Sequence, residues 1–154
     1  MYLMIVGGFM EVIFRRATSE DIEGIITLCN ECFEEETSLE YAKRIFEETK
    51  NDKNQIYLVG TIDDKIIAHT KITIIPTMYE KMNTYSIINH VCVKKEYRRH
   101  NIATIMLDEV TKICKEMNCK TIELWSNNFR QPAHACYKKY GFVVNDAKFF
   151  SKDI

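Results

Sequence analysis

The chain has 154 residues, enough for one domain with its own core and too few for two. Its 21 basic and 22 acidic residues leave a net charge of −1, so no global field draws it to nucleic acid or an anionic membrane, and any anion site must be local. Six cysteines, at 29, 32, 92, 114, 119 and 136, fall mostly in apolar periodic segments, which suits reduced thiols and a cytoplasmic location rather than a disulfide framework.

The opening "MYLMIVGGFM" is apolar but too short to span a bilayer, and it lacks a basic start and a small-residue cleavage site. Met10 followed by "EVIFRRAT" reads like a natural start, which makes residues 1–9 an N-terminal extension or loosely attached strand and 10–154 the domain. Val12 to Ala17 predicts a strand. Thr18-Ser19-Glu20-Asp21 then supplies a helix cap with acid in the first turn, and Ile22, Ile25, Ile26, Cys29 and Phe33 follow at helical spacing. Cys29-x-x-Cys32 has the spacing of a redox or metal pair, but it lies inside this helix with no second pair, and no metal site is assigned. A second helix, from about Ser38 to Lys50, carries Leu39, Ala42, Ile45 and Phe46.

The period then changes. "QIYLVGTI" and "KIIAHTKITII" are β-rich runs joined by Asp63-Asp64, a hairpin, and "YSIINHVCV" is apolar on both faces, as a central strand is. A long helix over Ile102 to Met117 follows, then the strand "KTIELWS" and a shorter helix with Pro132 in its first turn and Gly141 at its left-handed end. "FVV" and "KFFS" predict two closing strands. The order β-α-α-β-β-β-α-β-α-β-β describes one α/β domain, a mixed sheet flanked by helices.

Between the third strand of that run and the long helix lies "EYRRHNIATIML". Basic residues normally avoid a helix N-terminus, because its free N–H groups already carry partial positive charge. Arg98, Arg99 and His100 followed by Asn101 and small Ala103 therefore point to a bound anion, although a solvent-facing basic turn has the same composition. The segment "VCVKKEYRRHNIATIML", by Val91, Val93, Tyr97, Arg98, Asn101 and Ala103, resembles the acetyl-CoA-binding segment of the GCN5-related N-acetyltransferase (GNAT) superfamily, with Asn101 standing where that family carries its first loop glycine. "IELWSNNFRQPAHACYKKYGF" is similar to the family's closing motif through Asn128, Arg130, Ala133, Tyr137, Lys139, Gly141 and Phe142. Two motifs in the right chain order are more specific than either alone, and together they cover about residues 85–145.

The resemblance implies a GNAT-like single domain that uses acetyl-CoA as cosubstrate, with no metal. It implies that Val91, Cys92 and Val93 pair with the pantetheine arm. The backbone of Arg98, Arg99, His100, Asn101, Ile102, Ala103 and Thr104 would hold the pyrophosphate, and Asn128, Ala133 and Tyr137 would line the same cleft. Tyr137 would protonate the leaving thiolate, a role open to a phenol of pKa about 10 without tuning; its alternative role is a core aromatic, on one face with Ala133, Cys136 and Tyr140. The amine must lose a proton, and many GNAT enzymes place a glutamate just before the V-x-V; here Asn89 and His90 occupy that place. Asn89 can position water or amine but not act as a base. His90 has the chemistry of a base, yet strict strand alternation turns it to the face opposite Asn89. His69 and His134 are further candidates. Cys136 lies about 100° round the helix from Tyr137 and lacks His/Asp partners, so covalent catalysis is not assigned.

The expected acceptor is a small-molecule primary amine. Alternatives are an amino-sugar phosphate, needing a basic pocket near Arg130, Lys138 and Lys139, a peptide or protein amine, or a non-catalytic acyl-CoA-binding module. The resemblance implies that the acidic run Glu34 to Glu36 lies toward the acceptor side, where it would attract a cationic amine. The resemblance also allows a homodimer through C-terminal strands, for which "AKFFS" supplies an apolar edge; no nucleic-acid or membrane partner is expected.

Overall fold

The computed structural model describes residues 2–5 and 9–154, with side chains from residue 11 onward. Residues 1 and 6–8, which belong to the expected extension, lie outside the described residues. The elements in chain order are β1 (Tyr2–Ile5), β2 (Phe9–Arg16), α1 (Ile22–Phe33), α2 (Leu39–Thr49), β3 (Gln55–Ile62), β4 (Lys65–Ile75), β5 (Tyr85–Val93), α3 (Ile102–Glu116), β6 (Thr121–Glu123) and α4 (Gln131–Tyr140). The strands lie in one sheet in sequence order. Neighbours run antiparallel except β5 and β6, which are parallel. That exception follows from α3, because a parallel partner can be reached only by a crossover.

Turn chemistry fixes the register. Asp63 and Asp64 both adopt positive φ, 47° and 61°, the conformation that a tight two-residue hairpin demands and aspartate tolerates. The β3–β4 pairing then runs from Ile62↔Lys65 to Gln55↔Thr73. On one face of the sheet α1 buries Ile22, Ile25, Leu28 and Cys29, joined by Phe46 of α2. On the other, α3 buries Ile102, Ile105, Met106, Leu107, Val110 and Cys114. These spacings are the helical stripes of the sequence, and each stripe is what its helix lays on the sheet.

The start of α1 is held by an ion pair. Both oxygens of Asp21 accept from the Arg15 guanidinium, at 2.6 and 2.8 Å, and the Thr18 N–H and hydroxyl donate to the same carboxylate. These bonds, with Arg15 first, pull Asp21 down to about pKa 2 against the cost of burial.

The end of the chain departs from expectation. Instead of 120–126, β6 spans only Thr121–Glu123, and residues 142–154 contain no strand. Val143, Val144, Phe149 and Phe150 are exposed, Phe149 resting on Trp125 with ring centroids 5.0 Å apart. The β-rich composition of "FVV" and "KFFS" needs a partner strand in register to become sheet, and β6 is too short to offer one.

Candidate functional site

The site begins where β5 stops being paired. β6 meets β5 only at residues 85–87, so among the described residues the rest of β5 runs on without a neighbour on that side. Its unpaired main-chain groups form an edge that an extended ligand can join. Val91 packs against the core, and Cys92 and Val93 are buried. For all three, the main chain rather than the side chain is what the edge presents.

Across β5 the pairing slips: His69 faces Cys92 and Lys71 faces Asn89, so β5 holds one residue more than β4 over this stretch. The bulge falls at His90, whose φ is +52°. Ser86 and Ile88 point toward α3, and uninterrupted alternation would send His90 after them. The bulge reverses this. Lys71, which shares a face with its register partner Asn89, lines the same cavity as His90, so the expected opposition of Asn89 and His90 is corrected: both belong to the α1/α2 side.

His90 is fixed there by contacts from the end of α1 and the loop that follows it. Its Nε2 lies 3.0 and 3.2 Å from the two Glu35 carboxylate oxygens, and its ring meets Phe33 edge-on at 5.0 Å. Nε2–H donating to Glu35 leaves Nδ1 as the free acceptor. The Arg130 guanidinium covers the Phe33 ring at 4.4 Å, linking the start of α4 to the same cluster. Beneath lies a cavity of about 210 Å³ lined by Ile22, Ile25, Ile26, Ala42, Ile45 and Phe46, with Glu35, His69, Lys71 and His90 also in its lining. The Lys71 ammonium sits 5.5 Å from the Tyr57 ring centroid, and burial lowers its pKa.

At the opening of α3 two residues adopt left-handed backbone, Arg99 and Asn101, both with φ of 64°. Asparagine does so readily, arginine at a cost. Asn101 makes no side-chain cap, and no acidic residue lies in the first turn. The N–H groups of Ile102, Ala103 and Thr104 thus lack intrahelical acceptors by position and face no competing carboxylate. Arg99 and Asn101 are exposed, His100, Ala103 and Thr104 half-buried, and the Ile102 side chain is buried in the core. Arg98 is exposed but tethered: its Nε donates to the Val93 carbonyl at 2.9 Å, joining the loop to the end of β5.

On α4, Pro132 occupies the first turn and Gly141 closes the helix at φ 116°, as its sequence requires. Ala133 and Tyr137 lie one turn apart and are half-buried. Burial, the leading cause, raises the Tyr137 pKa, while Arg130 opposes the rise; the phenol is protonated at neutral pH. Asn128 is exposed in the loop before α4, its carbonyl accepting from Gln131 Nε2 at 2.6 Å.

Of the remaining histidines, His69 lines the same cavity and His134 lies on α4. His69 is buried, its Nδ1 2.8 Å from the Leu58 carbonyl, and desolvation lowers its pKa to about 4, which keeps it neutral. His134 Nε2 meets the Ser126 hydroxyl at 3.1 Å. Glu35 was visible in sequence only as one member of an acidic run, and Phe33 only as a core position. Nothing in local spacing could single them out, because the contact with His90 spans 55 positions. Among the described residues there is no cluster of three or more His, Cys, Asp or Glu that could hold a metal, and no helix long and apolar enough to cross a membrane.

A family model described as the acetyltransferase (GNAT) family matches residues 22–142. Among solved structures, the chain is similar to a transcriptional regulator from Bacillus halodurans C-125, with a TM-score of 0.84 and 21% identity, covering 94% of this chain and 100% of that one. It is also similar to glucosamine-6-phosphate N-acetyltransferase from Arabidopsis thaliana, with a TM-score of 0.79, 18% identity and coverage of 92% and 98%. A predicted acetyltransferase with acetyl-CoA from Clostridium acetobutylicum gives 0.74, 24%, and 92% and 96%. At such identities these three likenesses are likenesses of fold.

Proposed function

The chain belongs to the GNAT acetyltransferase family, which uses acetyl-CoA as cosubstrate, and on that premise we propose that it acetylates the primary amine of a small molecule with an apolar body. The single observation that carries this reading is the His90–Glu35 pair at the rim of an apolar cavity.

The residues present suit the cosubstrate. The first turn of α3, with basic residues around it and no acid in it, is a diphosphate site by its chemistry. The free stretch of β5 offers main-chain bonds to an amide-bearing arm. When bound, acetyl-CoA supplies the thioester carbonyl as electrophile. The protein's own groups then handle protons. His90 Nδ1 accepts one from the ammonium of the acceptor, and Glu35, a positioning residue, fixes the tautomer and ring orientation by accepting from Nε2–H. Tyr137, kept protonated by burial, donates to the departing sulfur. The cavity's aliphatic lining accommodates the acceptor body and excludes water from it.

An amino-sugar phosphate fits this lining less well. Lys138 and Lys139 are exposed on α4, and Arg130 is engaged with Phe33. The exposed apolar residues of 143–154 support a homodimer through that segment.

The test is coenzyme A thiol release from acetyl-CoA over a panel of amines graded in apolarity. Turnover is expected to favour alkyl or aryl amines, and Tyr137→Phe to lower kcat by about 10²–10⁴. Tight coenzyme A binding with no turnover on any amine would instead identify a non-catalytic acyl-CoA-binding module.

A further inference from the structure

Three thiols meet between α1 and β5 in a place the proposed reaction does not use. Cys29 and Cys32 stand one turn apart on α1 and share a face. That face packs on the sheet beside Cys92, which belongs to the same cluster. Within that cluster the Cys92 thiol donates to the His69 carbonyl at 3.7 Å and the Cys32 thiol to the Val93 carbonyl at 3.8 Å.

The three are not equivalent. Cys29 and Cys92 are buried, whereas Cys32 is half-exposed. The Arg98 Nη2 donates to the Cys32 sulfur at 3.5 Å, and Arg98 is itself held by its Nε bond to the Val93 carbonyl. An arginine aimed at a sulfur favours its thiolate over the thiol. The Cys32 pKa falls to about 6, chiefly through the Cys92 hydrogen bond and then Arg98, with burial and the Glu31 charge opposing. Cys92 moves the other way, its proton retained by the hydrogen bonds to its neighbours and by burial. One accessible, ionised sulfur therefore faces one buried, protonated sulfur, the division of labour between an attacking and a resolving thiol.

We propose that Cys32 is a modification site for hydroperoxides, with Cys92 as its resolving partner. The Cys32 thiolate attacks a peroxide oxygen; an S–O bond forms, the O–O bond breaks, and hydroxide leaves when the oxidant is hydrogen peroxide. Cys92 gives its proton to that hydroxide and attacks the Cys32 sulfur, so that an S–S bond forms and the S–O bond breaks; the departing hydroxide takes up the proton that Cys32 released to solvent on ionising and becomes the second water. Two thiols and one peroxide thus yield one disulfide and two waters. The cross-link ties α1 to the free stretch of β5 and removes the anion on which Arg98 rests. Loss of that anion alters coenzyme A affinity. This last consequence rests on the proposed cosubstrate site, whereas the thiol chemistry does not.

The full-length reduced protein is treated with one equivalent of hydrogen peroxide and read by intact mass and peptide mapping. The expected result is loss of two hydrogens, a Cys32–Cys92 cross-linked peptide pair, and reversal by dithiothreitol. In Cys92→Ser, Cys32 should instead accumulate as a sulfenic acid trapped by dimedone. Alkylation of Cys32 by iodoacetamide should show a midpoint near pH 6 in the wild type, moving upward in Arg98→Gln. A Cys29–Cys32 bridge, preferential oxidation of Cys119 or Cys136, or an unchanged mass under excess peroxide would overturn the proposal. These readouts need no acetyl transfer, so an inactive enzyme with a Cys32–Cys92 bridge would refute the proposed function alone.

Discussion

His90 shows how one backbone angle changes the chemistry a residue can do. In a regular strand it would point toward α3; at φ +52° it turns to Glu35 and the apolar cavity. His90→Gln should lower kcat by about 10²–10⁴. Glu35→Gln should lower kcat less, because Nε2–H keeps a weaker acceptor and the ring is held less firmly; steady-state kinetics that leave Glu35→Gln at the wild-type kcat would show Glu35 to be merely structural. Asp21 makes a separate prediction. Its folded pKa of about 2 lies below the ordinary aspartate value, so the stabilisation is fully present above about pH 4 and is lost as pH falls through the folded value. Arg15→Ala should cost about 1–3 kcal/mol at pH 7. In urea titrations, its deficit relative to wild type should shrink at pH 2.

The loop and first turn that open α3 form the element where strain and function coincide. Arg99 and Asn101 hold left-handed backbone without glycine, next to N–H groups that have no acceptor of their own. Asn101→Gly removes the Cβ contact that this conformation suffers and should stabilise the fold by up to about 1 kcal/mol while tightening coenzyme A binding in calorimetry. Asn101→Ala should do the reverse on both counts. The basic opening of this element was legible because those residues stand where a helix dipole repels them. The tethering of Arg98 was not, since the Val93 carbonyl and the Cys32 sulfur reach it from other elements.

For the whole molecule, the layered arrangement separates the proposed roles: α3 and its loop carry the proposed anion site, α1 and α2 line the cavity, and β5 lies between them. The apolar segment 143–154 lies on the outside of this assembly. Sedimentation should find a dimer for the full chain and a monomer for a 1–144 truncation, whose melting temperature measured at low concentration should stay within a few degrees of wild type. Hydrophobic period, turn residues and two local motifs determined by themselves the helices, the hairpin, the order of elements through α4 and the opening of α3, because each depends on residues close in the chain. Tertiary structure alone decided the bulge that aims His90, its pairing with Glu35, the meeting of Cys32 with Cys92 and Arg98, and the absence of the last two strands. Those outcomes turn on which distant segment is within reach, and local spacing carries no information about that.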